Sequence, residues 1–253
     1  MVSSPLHAWV NKLAVLPEKF RLEPDNSGSR LEENGEGEWA VSVALEEGLP
    51  LYSIAQARWH SLRETRRATN DYLQRASALV GGLWGGSLDS EERDLVLSSL
   101  GEPPAFCLPI YIVSVGTGES ERAVYVGKTC SSKRFANGHK VGLKLHHPEY
   151  DRLKKTVYRC SVLFHIQGEY VALEWLESEA LANQTLDIVE SVLIYALQSE
   201  LNIAKRRRPR LERPLRIHMQ NYAESAFLSD LMLCLRNGEP ISIVPARNQR
   251  QEK

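Results

Sequence analysis

Two phenols stand in neighbouring apolar runs, Tyr111 in LPIYIVSVG (residues 108–116) and Tyr125 in AVYVGKT (residues 123–129). Lys128 follows the second tyrosine, and the next segment, CSSKRFANGHK, adds Arg134 and His139. A phenol or an imidazole can carry a proton, the imidazole with a pKa near neutrality, and a guanidinium is a permanent planar cation suited to oxyanions. Proton transfer beside a bound anion is the chemistry such a set could perform. The plain alternative is packing, since strand tyrosines are commonly half-buried with a hydrogen-bonded hydroxyl.

The elements that would carry these groups are legible around them. Both tyrosine runs are rich in β-branched residues, and the link TGESER is short, polar and contains a glycine, which favours a β-hairpin. The following SSKRFANGHK suits a helical turn capped by Ser131 or Ser132 and limited by Gly138. TVYRCSVLFHI (residues 156–166) alternates like a third strand. From Val171 the run ALEWLESEALA has helical spacing, which would leave Glu174, Glu177 and Glu179 on a solvated helix face. LDIVESVLIYALQSELN then reads as an amphipathic helix with Ile188, Val189, Val192, Leu193, Ala196 and Leu197 as its apolar stripe and Glu190 beside it. Strand, strand, helix, strand, helix, helix predicts a small α+β layer structure.

The whole chain narrows the classes. Its 253 residues are 43% hydrophobic and 25% charged with a formal net charge of -1, so any attraction for a polyanion must be local. No run reaches the roughly 18–20 apolar residues of a membrane span, and the amino terminus lacks a signal-peptide pattern. A cytoplasmic protein with no membrane partner is expected. Cys107, Cys130, Cys160 and Cys234 are far apart with no CxxC pair, which argues for reduced, mostly buried thiols.

Residues 1–103 are expected to be mainly helical. Trp9, Val10, Leu13, Leu16 and Phe20 suit a short helix, and an acidic, glycine-bearing loop follows. Residues 51–80 suggest a long helix whose polar side carries Arg58, Arg63, Arg66, Arg67 and Arg75. GGLWGG ends it, a short helix capped by Ser87 or Asp89 comes next, and Pro103 and Pro104 mark a boundary. Residues 104–204 form the unit with the tyrosines, and residues 205–253 begin with KRRRPRLERPLR and continue into a helix over 224–237 and a polar tail.

In order and strand context the motifs resemble the GIY-YIG nuclease superfamily over roughly residues 108–202. Pro109, Ile110 and Tyr111 stand for the first motif, Tyr125, Val126 and Gly127 for the second, Arg134 for the arginine of the next helix, Glu190 for the later glutamate and Asn202 for the asparagine that often follows. Proline replaces the glycine of the first motif, and the loop between the motifs is slightly long. The resemblance implies a β-β-α-β-α domain with a three-stranded antiparallel sheet and flanking helices, here between a mainly helical amino-terminal region and a basic, partly helical carboxy-terminal extension. It also implies a DNA endonuclease in which Glu190 binds one Mg²⁺ or Mn²⁺, Arg134 holds the phosphate and Tyr111 is the general base. Tyr125 orients water or phosphate, Lys128 favours the phenolate, and Gly127 and Asn202 support the site. His139 is the alternative base, being better matched in pKa.

A substrate path can be drawn from charge alone. Lys128, Lys133, Arg134, Lys140, Lys144, Arg152, Lys154 and Lys155 outnumber Glu149 and Asp151, and Lys205, Arg206, Arg207, Arg208 and Arg210 follow the helix that carries Glu190. Such a face would grip a DNA backbone with strong salt dependence, unless the basic run is only a solvated linker. The amino-terminal helices would contact DNA or form a homodimer surface. A nucleic-acid-binding module without cleavage is the alternative function.

Overall fold

In the computed structural model, the structure describes residues 5–13, 39–82, 86–105, 107–131, 133, 135, 140–166, 169–176, 178–205, 207, 209, 214–236 and 242–245. Among these residues the dominant element is one mixed sheet. Its strands are β1 (Trp39–Pro50), β2 (Ile110–Val115), β3 (Arg122–Lys128), β4 (Lys155–Ile166), β5 (Glu169–Ala172), β6 (Leu215–Asn221), β7 (Leu231–Leu235) and β8 (Ser242–Pro245). The order is β3-β2-β4-β1-β6-β7-β8, with β5 also paired to β4. The helices are α1 (Pro5–Val10), α2 (Leu62–Leu79), α3 (Ser90–Leu100), α4 (Lys140–Lys144) and α5 (Glu179–Ala196).

The two tyrosine runs do pair as antiparallel strands, with Tyr111 opposite Gly127 and Val113 opposite Tyr125. The expectation of a small three-stranded antiparallel sheet with flanking helices is nevertheless overturned. The described residues of the amino-terminal region carry α1, α2 and α3, but they also supply a strand to the sheet, because VSVAL builds β1, which pairs antiparallel with β4 and parallel with β6. Among the described residues the carboxy-terminal extension does not form the helix expected over residues 224–237, because LMLCL forms β7 between β6 and β8. Asn221 explains why no helix starts there. Its amide donates to the carbonyls of Ser225 (2.8 Å) and Leu228 (2.6 Å), and its side-chain oxygen accepts from the Ser225 N–H (2.9 Å). Such local side-chain bonds offer the backbone an alternative to the helical ladder.

The sheet is covered on both faces. Every residue of β2 is buried, as expected of an interior strand with apolar neighbours above and below. Ile110 and Ile112 join the large core with Phe164, Val189 and Leu193, whereas Tyr111, Val113 and Val115 join a second core with Trp59, Phe135, Val141 and Tyr150. Helix α2 begins only at Leu62, because the Ser61 side chain accepts from the Glu64 N–H as N-cap. Residues Leu51–Gln56 form a separate 3-10 turn. Asp89 closes a full capping box on α3, which satisfies orphan N–H groups. All four cysteines are free. No helix among the described residues is long and apolar enough to cross a membrane.

Glu174 lies on a 3-10 turn, Leu173–Trp175, that interrupts the expected helix and packs against α2. Its carboxylate is buried, with Oε1 accepting the Cys107 N–H at 3.1 Å and Oε2 without a hydrogen-bond partner. Burial pushes its pKa up to about 7, only partly offset by the backbone N–H groups of Glu174 and Cys107. The folded protein therefore holds a proton there that the unfolded chain has released, so stability falls as pH rises from the unfolded carboxyl range through about 7.

Two measurements follow. Urea unfolding between pH 5 and pH 8 is expected to show a loss to which this group contributes on the order of 3 kcal/mol, and Glu174→Gln is expected to flatten that slope. Ile217→Ala on β6 is expected to cost about 2–5 kcal/mol in one transition shared with the tyrosine hairpin. Two separated transitions would show that the outer strands fold apart from it.

Candidate functional site

Tyr111 and Tyr125 share one face of the hairpin, since residues two apart on a strand point the same way. Their rings stack at 6.0 Å with 29° between planes. Tyr111 is fully buried, wedged edge-on against Trp59 (5.7 Å) and Phe135 (5.1 Å). Gly127 is the floor beneath it. A Cβ built there would lie 2.5 Å from the Tyr111 hydroxyl and 2.8 Å from the Tyr125 ring, so only glycine lets the phenol cross the partner strand. Tyr125 is only half-buried. A cavity of about 890 Å³ is lined by Phe135 together with Tyr52, His146 and Lys154.

Asn202 is buried and clamps the outer edge of β3. Its Oδ1 accepts the Val126 N–H at 2.9 Å and the Ser199 hydroxyl at 2.7 Å, and its Nδ2 donates to the Val126 carbonyl at 2.9 Å. The Leu201 N–H adds a bond to the Val124 carbonyl at 2.9 Å. The segment after α5 thus does the work of a further strand and satisfies edge groups that would otherwise be unpaired.

Lys128 and Glu190 come to one patch through two further residues. Lys128 at the end of β3 forms an ion pair with Asp187 on α5, 59 positions away in the chain. Lys205 reaches back from beyond α5 to Glu190 Oε2 at 2.5 Å and to Asp187 Oδ1 at 3.4 Å. Glu190 is 12% exposed at its side chain, against 54% for Asp187. Burial pushes the Asp187 carboxyl up, but the ammonium groups of Lys128 and Lys205 outweigh it and hold its pKa below the ordinary range. Burial lowers the Lys205 pKa, and the carboxylates of Glu190 and Asp187 reverse that and leave it raised.

Sequence reasoning placed Lys128 and Glu190 in the site but missed Asp187 and assigned Lys205 to the substrate alone. The signal was present, since Asp187 lies three residues before Glu190 and so shares its helix face. Arg134 and His139 lie outside the described residues, as do Arg206, Arg208 and Arg210. Lys133, Lys140 and Arg207 are exposed. Among the described residues no group of three or more His, Cys, Asp or Glu side chains assembles. The donors available to a divalent cation are Glu190 and Asp187, and a carboxylate pair completed by water suits Mg²⁺ or Mn²⁺.

Comparison of the chain with protein-family models, with curated proteins and with solved structures finds no match.

Three substitutions check this geometry. Gly127→Ala is expected to displace Tyr111 and lower stability by about 1–3 kcal/mol, with Tyr111→Phe relieving little because the ring carbon Cζ would lie as close as 2.6 Å. Asn202→Ala is expected to cost about 1–3 kcal/mol through two main-chain groups left unpaired, and to speed amide exchange at Val126 in hydrogen-exchange measurements.

Proposed function

We propose that the chain is a GIY-YIG-type endonuclease that hydrolyses phosphodiester bonds in DNA with a divalent cation. What supports the reading is the ion-pair chain from Lys128 through Asp187 and Lys205 to Glu190, which joins the lysine that follows the second tyrosine motif to the helix glutamate. Glu190 and Asp187 would hold Mg²⁺ or Mn²⁺, and such an ion supplies Lewis-acid polarisation of the phosphate. Tyr111, or His139 in its place, accepts the proton of the attacking water. Tyr125 orients that water by hydrogen bonding, and Arg134 binds the non-bridging oxygens as a planar fork. Lys133, Lys140 and the run from Lys205 hold the backbone on either side, with affinity falling steeply as salt rises.

A DNA-binding module without cleavage is favoured by a different observation. The Tyr111 side chain is fully buried and the Glu190 carboxylate is already neutralised by an ammonium.

Supercoiled plasmid incubated with the full chain and Mg²⁺ or Mn²⁺ separates the two. Nicking that Glu190→Ala and Arg134→Ala abolish is expected, with Tyr111→Phe slowed at least about a hundredfold if the phenol is the base. A Tyr111→Phe chain that cleaves at full rate while His139→Ala does not would transfer the base role to the imidazole. Binding of DNA with no nicking under either metal would establish the non-cleaving module.

A further inference from the structure

Among the described residues the patch on α5 pairs two carboxylates with two ammonium groups. Its carboxylates, Asp187 and Glu190, face the ammonium groups of Lys128 and Lys205. A divalent cation added to this set would bring its charge against both ammonium groups, within the short range over which such repulsion is large in a partly desolvated site. One ammonium has to leave. Lys128 is held at the end of β3 and pairs with Asp187. Lys205 bridges both carboxylates from beyond the last turn of α5, where its backbone takes φ 63°. A non-glycine residue in that left-handed region is uncommon.

We infer that Lys205 is a built-in counter-ion of Glu190: its ammonium occupies the cation position between Glu190 and Asp187, and a divalent metal gains Glu190 only by displacing it. The inference rests on the reading of Glu190 as a metal ligand. Its consequence is coupling between two ligands. The displaced lysine is free to meet a phosphate, and a phosphate that captures the lysine leaves Glu190 open. Metal and polyanion therefore favour each other's binding, and by linkage each strengthens the other by the same factor.

Direct Mn²⁺ titration of the full chain, by calorimetry or by the electron-spin resonance of the free ion, tests this without any turnover. Lys205→Ala and Lys205→Gln are both expected to bind Mn²⁺ about tenfold more tightly than the parent, the factor equivalent to about 1.4 kcal/mol, and Glu190→Gln is expected to lose that site. In the parent, acylation of the Lys205 amine, followed by peptide mass spectrometry, is expected to rise when Mn²⁺ is added. Glu190-dependent Mn²⁺ binding of equal or weaker affinity in both Lys205 variants, or acylation indifferent to Mn²⁺, overturns the displacement and leaves Glu190 a ligand. Absence of Glu190-dependent Mn²⁺ binding in the parent and in both variants overturns the ligand reading and the displacement together.

Discussion

Everything else in the molecule depends on burying β4. This twelve-residue strand pairs along its length with β1 on one side and with β2 and then β5 on the other. Its apolar residues feed both cores, Phe164 and Val162 the larger one and Val157 the smaller. A strand covered on both faces and paired on both edges leaves no main-chain group to water, so it can be interior only if the sheet continues past it in both directions. That requirement is why a three-stranded sheet does not suffice. The hairpin supplies one side, and β1 with the strands parallel and antiparallel beyond it supplies the other.

The same constraint shapes the tyrosine face. Because β3 ends the sheet, its outer edge must be closed by something, and Asn202 with the Leu201 N–H closes it. That clamp fixes where the chain runs after α5, and hence where Lys205 stands. The ion pairs on α5 are thus a consequence of edge protection as much as of charge. Their exposed members contribute little to stability, since water and salt screen them. The partly buried Glu190 is different, because a desolvated carboxylate without a counter-charge would be costly.

The tyrosine pair illustrates how packing and chemistry compete for one set of residues. Edge-on packing against Phe135 and Trp59 makes Tyr111 a core residue, and Gly127 stands at a position from which a side chain would evict it. Its hydroxyl is consequently aimed by the fold with little freedom. Tyr125, half-buried at the rim, keeps access to solvent. Two phenols of one sequence motif pair have received different environments from a single hairpin register.

What the sequence determined by itself was local. Alternation and β-branching marked β2, β3 and β4, a cap at Ser87 or Asp89 marked α3, and the apolar period marked α5, because each depends on neighbours within a few residues. Glu190 and Lys128 were legible as charged exceptions beside such patterns. Tertiary structure decided what depends on distant partners. The parallel pairing of Trp39 with Leu215 made β1 and β6 strands of one sheet, and a turn organised by Asn221 turned an apparently helical segment into β7. Glu174, which helical spacing would leave in water, became a buried carboxyl when the 3-10 turn swung it toward Cys107. Lys205, written in the sequence as the first residue of a basic run, became the partner of Glu190 because the edge clamp on β3 returns the chain to α5. Period and propensity record only what lies near in sequence, whereas a sheet is completed by whatever strands the rest of the chain can bring to its edges.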